Sequence, residues 1–584
     1  MCGIVGHISH NAPINRTVAE KMVASLHHRG PDGSGTYCQG NVFLGHTRLS
    51  IIDTSTAGTQ PMWSKDKSIA ISFNGEIYNF LDIRQRLHNS HFVSHTDTEV
   101  ILEAYRSWGL ARTLEQLRGM FAFVIYDQKA KKVYLVRDRV GIKPLVYYWD
   151  GNNLIFASEL KALTHSPVVS KTIRPQSISD FLVYRYIPNP DTIYEDVYKL
   201  EPGHYLELDL TTFTLTNRTY WQLPAVSGTN EVSRKEALQH VAKLMDESVR
   251  YHLVADVEVG TFLSGGIDSS LISAEARERK HDIRALTIDI QPPKYSEVDY
   301  ARQAAEHIGI TLHAEKVGRN EFMTELDAIF AAYDEPFADS SIVPTYLLAK
   351  ATRKLGIKSV LSGDGADELF YGYRWYTTFQ YSSLLPSFLQ KALGYYEEDP
   401  LERYRKHMFN RFTNTEVAAL FNLPTPPSSS HLYHRHKGSR ISADTINWID
   451  FKTFLVDDIL YKVDIANMAH GVEVRVPFLD HTLVEYVHSL PGSIIHPLGR
   501  RKHLLKSIAT HSLPPSVIKR PKKGFSAPIM QWANDHVYRS LKTSVLAEKG
   551  LIKQEALDHF LENETNSGKV WQLYTFNQWA RHHV

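Results

Sequence analysis

At 584 residues, with 43% hydrophobic and 11% aromatic content, the chain exceeds one ordinary core and is long enough for two or more domains. Its 65 Lys plus Arg nearly cancel 64 Asp plus Glu, which argues against the basic footprint of nucleic-acid binding, and no apolar run reaches the ~18 residues of a membrane span. Two cysteines exclude a disulfide framework; with no signal-peptide pattern at the start, a cytoplasmic protein that keeps its N-terminus apart from Met1 is expected.

The chain opens MCGIVG, with Cys2 directly behind Met1. Thiolates attack carbonyl carbon, and a cysteine made terminal by loss of Met1 has a built-in base, its own α-amine, with an ordinary pKa of about 8. Alone, a second-position cysteine is more often structurally incidental. The runs VFLGH, IAISF, FAFVIYD, VYLVRD, LVYYW and LIFAS read as strands, and TEVILEAYRSWG as an amphipathic helix. Among them HTRLSIID supplies Arg48, suited to a carboxylate. FNGEIYN supplies Asn74 and the Gly75 amide, suited to an oxyanion, and HTDTEV supplies Asp97, suited to an ammonium group. Together these are the groups that an α-amino acid with a side-chain amide requires.

Near LEPGHYLELDLTTFTLTNRTYWQLPAVSGTNE an alternating hairpin gives way to a polar segment with Pro and Gly, and helical periodicity begins at RKEALQHVAKLMDESVRYHL, so a domain boundary is expected around 207–230. Beyond it strands and helices alternate, which implies a parallel sheet whose ligands sit at the strands' carboxyl ends. FLSGGIDSS (262–270) follows an apolar strand and opens a helix. Its small residues Ser264, Gly265 and Gly266 and the free helix amides make a seat for an anion the size of pyrophosphate, and Asp268 can hold the accompanying Mg²⁺. No lysine follows these glycines, so this is no Walker A loop. The loop resembles that of the ATP pyrophosphatases, which split ATP between the α and β phosphates.

A second turn, VLSGDGADELF, carries Asp364, Asp367 and Glu368 after another apolar strand and suits a shared metal and nucleotide site. After residue 375 the chain reads as mainly helical, interrupted by NLPTPPSSSHLYHRHKGS, expected to be a mobile loop. GRRKHLLKSIA places Lys502 at a helix start. A basic face is usually solvated surface, but a cation there suits the charge that develops during adenylation.

Taken in order, MCGIVG, HHRGPDGSG, HTRLSIID, FNGEIYN, GMFAFVIYD, RDRVGIKPL, LSGGIDSS, DEPFADSSIVPTYLLAKATRK, LSGDGADELF, GVEVRVPFLD and RPKKGFSAPI resemble the glutamine-hydrolysing asparagine synthetases over nearly the whole chain. The resemblance implies an α/β and α+β two-domain protein. Residues 2–207 would form a class II glutamine amidotransferase, an αββα Ntn-hydrolase sandwich. Residues 208–230 would be a linker, and 231–584 a parallel-sheet, adenine nucleotide α-hydrolase-like (PP-loop) synthetase with a helical C-terminal part.

By position, the resemblance implies Cys2 as nucleophile and Asn74 and Gly75 as oxyanion hole. Arg48, Leu49, Ser50, Ile51, Ile52, Glu76 and Asp97 would join them around glutamine. Leu263, Ser264, Gly265, Gly266, Asp268, Ser269, Ile288, Ser362 and Gly363 would hold ATP and pyrophosphate, with Asp268 and Asp367 on Mg²⁺ and Lys502 and Asp364 in catalysis. Ammonia would cross an internal tunnel to an adenylated aspartate, giving asparagine, AMP and pyrophosphate. ATP, glutamine and aspartate are thus the implied small-molecule partners, with Mg²⁺ as cofactor, no nucleic acid or membrane, and a homodimer expected because relatives often form one. Where several relatives carry glutamate this chain has Asp364, and Tyr371 stands where glycine is common. Two other readings stay open: the same architecture amidating a sugar acid, cell-wall diamino acid or peptide carboxylate, and a glutaminase-only or non-catalytic interaction protein.

Overall fold

The structure, a computed structural model, describes residues 2–87, 90–224, 232–392, 412–421, 442–521, 524–525 and 527–584. The Pro- and Ser-rich stretch at 422–439, expected as a mobile loop, and residues 225–231 of the expected linker lie outside the described residues.

Twelve strands precede residue 220: β1 (Gly3–Ser9), β2 (Gly33–Gln39), β3 (Val42–Arg48), β4 (Met62–Trp63), β5 (Ile69–Ile77), β6 (Gly119–Asp127), β7 (Lys132–Arg137), β8 (Val146–Trp149), β9 (Asn153–Ala157), β10 (Val197–Lys199), β11 (His204–Asp209) and β12 (Thr214–Thr219). They form two six-stranded antiparallel sheets, in the orders β10-β8-β9-β1-β3-β2 and β12-β11-β7-β6-β5-β4. Strand alternation assigns the faces. Ile4 and Ile8 of β1 and Ala70 of β5 join one buried cluster between the sheets. Val5 of β1 packs instead on the side of helix Arg16–Ala24, with Met22 and Val23, while Ile71 and Phe73 of β5 face helix Asp97–Gln116. The result is the αββα Ntn-hydrolase sandwich. Each fully buried side chain of this kind contributes roughly 1.5–3 kcal/mol. The second sheet continues through β12, so the alternating hairpin is one of its edges.

A third sheet of five parallel strands follows: β13 (Val259–Phe262), β14 (Arg284–Ile290), β15 (Thr311–Val317), β16 (Ser359–Leu361) and β17 (Glu473–Arg475), in the order β15-β14-β13-β16-β17. The chain builds outward from β13 in one direction and then returns to add β16 on its other side. That reversal opens a crevice at the carboxyl ends of β13 and β16. Helices dominate from Ala443 to His583 among the described residues.

The two halves are joined by polar contacts as well as packing. Arg118 pairs with Asp480 at 2.6 Å, Lys358 with Asp32 at 2.8 Å, and the Asp53 amide donates to Asp256 at 2.7 Å. The last helix, Ser567–His583, is buried along most of its length and donates from Gln572 Nε2 to the Phe181 carbonyl at 2.6 Å. No helix among the described residues is long and apolar enough to cross a membrane.

Candidate active sites

Cys2 sits immediately before β1, and Asn74 lies on β5 in the facing sheet. Stacking the sheets brings them together: the Cys2 nitrogen donates to Asn74 Oδ1 at 3.0 Å, and the Cys2 thiol faces the Leu49 carbonyl at 4.0 Å. Asn74 is fully buried, and its Nδ2 has no hydrogen-bond partner among the described residues. Such a donor is expensive to leave unsatisfied, and it suits an oxyanion. Beside it Gly75 adopts φ +154, and a Cβ there would overlap the backbone of Met120 and Phe121 on β6. Only glycine lets the strands approach so closely while carrying this amide.

Burial pushes the Cys2 thiol above its ordinary value, so the proton must be taken by a nearby base. Burial, followed by the charge of Glu473, lifts Glu76 well above the carboxylate range. Asp97 is lifted by burial to about 7, against hydrogen bonds from the Ile77 and Thr98 amides. Leu49, Ser50, Ile51 and Ile52 are buried along the segment beside Cys2, and the Ser50 amide donates to Asp32 at 2.8 Å. The Arg48 guanidinium donates to the carbonyls of Ser55, at 2.5 Å, and Asp53. Gly58 leaves room for that guanidinium, which a Cβ would overlap.

The second site lies in the crevice at β13 and β16, where a cavity of about 690 Å³ opens between the two glycine turns. Ser264, Gly266, Asp268 and Ser269 line it from one turn, and Ser362, Gly363, Asp364 and Asp367 from the other. Gly265 adopts φ +72, and a Cβ there would collide with the Tyr300 and Ala301 backbone. The turn is thereby pressed against the neighbouring helix, leaving the amides at the start of helix Ile267–Arg279 facing the crevice. Leu263 lines the cavity, whereas Ile288 is buried in the sheet behind it; Leu286 and Thr287 line the wall instead.

Lys502 reaches between the turns, with Nζ 2.5 Å from Asp268 Oδ2 and 2.6 Å from Asp367 Oδ1. Burial works against its charge, but the two carboxylates outweigh it and raise its pKa. Its backbone has φ +50, and its amide donates to the Phe370 carbonyl at 3.0 Å. Gly372 makes the approach feasible, because a Cβ there would overlap both Asp367 and the Lys502 side chain. Asp364 accepts from the Ser362 hydroxyl at 2.5 Å, and burial raises its pKa.

No group of three or more His, Cys, Asp or Glu residues that could hold a metal occurs among the described residues. Asp268 and Asp367 offer hard oxygen donors on either side of one lysine. That set fits a Mg²⁺ that arrives with phosphates and keeps waters in its shell, rather than one caged by protein.

A model of the family described as Glutamine amidotransferase domain matches residues 1–221, and one described as Asparagine synthase matches residues 240–581. The chain belongs to the glutamine-hydrolysing asparagine synthetase family. It is 31% identical to Asparagine synthetase [glutamine-hydrolyzing] 1 of Bacillus subtilis (strain 168), over 99% of this chain and 96% of that one. It is 30% identical to a protein of Mycobacterium tuberculosis (strain ATCC 25618 / H37Rv) named Putative asparagine synthetase [glutamine-hydrolyzing], over 99% and 97%. As a member of this asparagine synthetase family it is a glutamine-dependent ligase.

Sequence reasoning passed over several residues that this asparagine synthetase fold gathers around the two sites. Arg29 donates from Nε to the Cys2 carbonyl at 3.1 Å, Arg475 pairs with Glu76 at 3.4 Å, and Lys462 lines the second cavity and pairs with Asp339 at 2.9 Å. Arg29, Arg475 and Asp339 all lie inside motifs quoted above, so a signal was present. Their residue types and spacing carried no role.

Proposed function

We propose that the chain makes asparagine from aspartate with nitrogen taken from glutamine. Once Met1 is removed, the Cys2 nitrogen held by Asn74 is an α-amine beside the thiol. It takes the thiol proton, and sulfur adds to the glutamine side-chain amide carbon. The tetrahedral oxyanion is met by Asn74 Nδ2 and the Gly75 amide. Collapse breaks the carbon–nitrogen bond, with the α-ammonium returning its proton to the leaving ammonia. Water then hydrolyses the thioester to glutamate and restores the thiol. Arg48, Glu76, Asp97 and the 49–52 segment are the proposed surroundings of glutamine.

In the second cavity the aspartate side-chain carboxylate attacks the α-phosphorus of ATP, forming β-aspartyl adenylate and expelling pyrophosphate. The glycine turn and helix amides at 264–269 receive the phosphates, with Ser362 and Gly363 opposite. Asp268 and Asp367 would hold Mg²⁺, which when bound neutralises phosphate charge. Lys502 supplies a fixed cation against the charge growing on the leaving group. Ammonia from the first site then displaces AMP, giving asparagine.

The observation that carries this reading is the Lys502 bridge between Asp268 and Asp367 across two glycine turns at the sheet's reversal point. Family membership and the printed names of the relatives favour aspartate as acceptor. ATP–pyrophosphate exchange across a panel of carboxylates tests it: exchange with aspartate is expected. Exchange with a uronic acid or diaminopimelate, and none with aspartate, would move the chain to a different acceptor.

A further inference from the structure

Segment Leu455–Met468 lines the nucleotide cavity on one side and meets the N-terminal half on the other. Its first part, Leu455–Leu460, is a π-helical turn that passes into helix Tyr461–Met468. Such turns are rare and recur at functional positions. Ile459, Lys462, Val463 and Asn467 line the nucleotide cavity. The other side of the segment meets the N-terminal half, where Asp457, Leu460, Tyr461 and Asp464 line a small interface cavity together with Arg137 and Glu159.

Two anions on that second side hold the N-terminal half. Asp457 accepts from both the amide and the side chain of Asn189, each at 2.8 Å. About two helical turns later, Asp464 pairs with Arg29 Nη2 at 2.8 Å. Arg29 is fully buried; besides the ion pair at Nη2, Nη1 pairs with Glu159 at 2.6 Å and Nε donates to the Cys2 carbonyl at 3.1 Å. The position of the nucleophile's backbone is thus fixed by an arginine whose orientation is set partly from the synthetase half. Lys143 approaches the same Asp464 at 3.5 Å, so the carboxylate is held from two sides.

A buried ion pair of this kind contributes little net stability, since desolvation offsets attraction, and its better-attested use is to specify one arrangement. We propose that Asp464 is a positioning residue of the glutaminase site, acting through Arg29 on Cys2, and that segment Leu455–Met468 transmits occupancy of the nucleotide cavity to the thiol. The proposal rests on the two-site reading above. It adds that a ligand touching Lys462 shifts a rigid helix whose opposite side carries Asp464 and, through it, Arg29.

The test uses the full-length enzyme and the isosteric variant Asp464→Asn, with Asp464→Glu as the charge-retaining companion. Three quantities are measured: glutaminase kcat and KM, the rate at which a glutamine-like diazoketone inactivates Cys2, and ammonia-dependent synthesis. The first two are repeated with MgATP and aspartate present. Asp464→Asn is expected to lower glutaminase kcat and the inactivation rate by roughly 10- to 100-fold, the scale of a small misplacement of a reacting group, while KM for glutamine and ammonia-dependent synthesis stay as in the parent. Any effect of MgATP and aspartate on the parent's glutaminase disappears in Asp464→Asn and is partly regained in Asp464→Glu.

A glutaminase rate in Asp464→Asn equal to the parent's, or a loss shared equally by both activities, overturns the proposal. So does a parent whose Cys2 reactivity ignores the second cavity. Should Asp464→Asn fail to fold, Asp464→Glu alone decides by the same comparison. Cys2→Ala separates the two levels of inference: if it still uses glutamine the two-site reading fails, whereas if it behaves as expected and Asp464→Asn matches the parent, only the coupling fails.

Discussion

At the scale of single residues, the account depends on donors and charges held in place before substrate arrives. Asn74→Ala removes the buried Nδ2 and is expected to lower glutaminase kcat by about 10²–10³-fold, the range for loss of one oxyanion donor. Ammonia-dependent synthesis should be untouched; a parallel fall in both would mean that Asn74 matters only for folding. Asp97 gives a pH prediction. Its pKa is lifted by burial to about 7, so below that value the free enzyme carries it protonated, and binding an ammonium group must expel the proton. Apparent glutamine affinity therefore falls by about tenfold per pH unit below 7 and levels off above it. KM measured from pH 5.5 to 8.5 should trace that curve, and Asp97→Asn should flatten it while weakening binding at high pH. Asp364 shows what composition leaves out: its shorter side chain still finds the Ser362 hydroxyl at 2.5 Å, so the missing methylene does not detach it from the turn.

At the scale of elements, glycines set the backbone where chemistry requires close approach. Gly265→Ala forces a Cβ into the Tyr300 and Ala301 backbone from a left-handed conformation, which costs roughly 1–3 kcal/mol of strain or displaces the turn. ATP–pyrophosphate exchange should collapse while glutaminase activity persists; normal exchange would show that the turn does not seat phosphate. The strands of the first half were legible as runs of apolar, β-branched and aromatic residues, as in FAFVIYD, which forms most of β6 and is buried on both faces. Strand β17 was not. Its three residues, Glu473–Arg475, include two buried charges, and so short a run shows neither alternation nor an apolar core. It nevertheless completes the parallel sheet and delivers Arg475 to Glu76.

At the scale of the whole molecule, what lay beyond sequence was juxtaposition across long separations. Cys2 and Asn74 meet because two sheets stack, and Lys502 meets Asp268 because a helical C-terminal part folds back over the crevice. Residue types and local context singled out each partner, but pairing depended on tertiary packing that no local pattern encodes. The family motifs supplied that pairing by resemblance. They did not supply the pairing of Arg29 with Asp464, which crosses between the halves. The central claim is that two separate sites act in sequence, with Cys2 needed only to release ammonia. Its most direct test is AMP formation by Cys2→Ala with aspartate and MgATP, supplied in turn with glutamine and with ammonium. The account predicts no AMP above background with glutamine and a rate equal to the parent's with ammonium. Loss of both rates, or retention of the glutamine-dependent one, would contradict it.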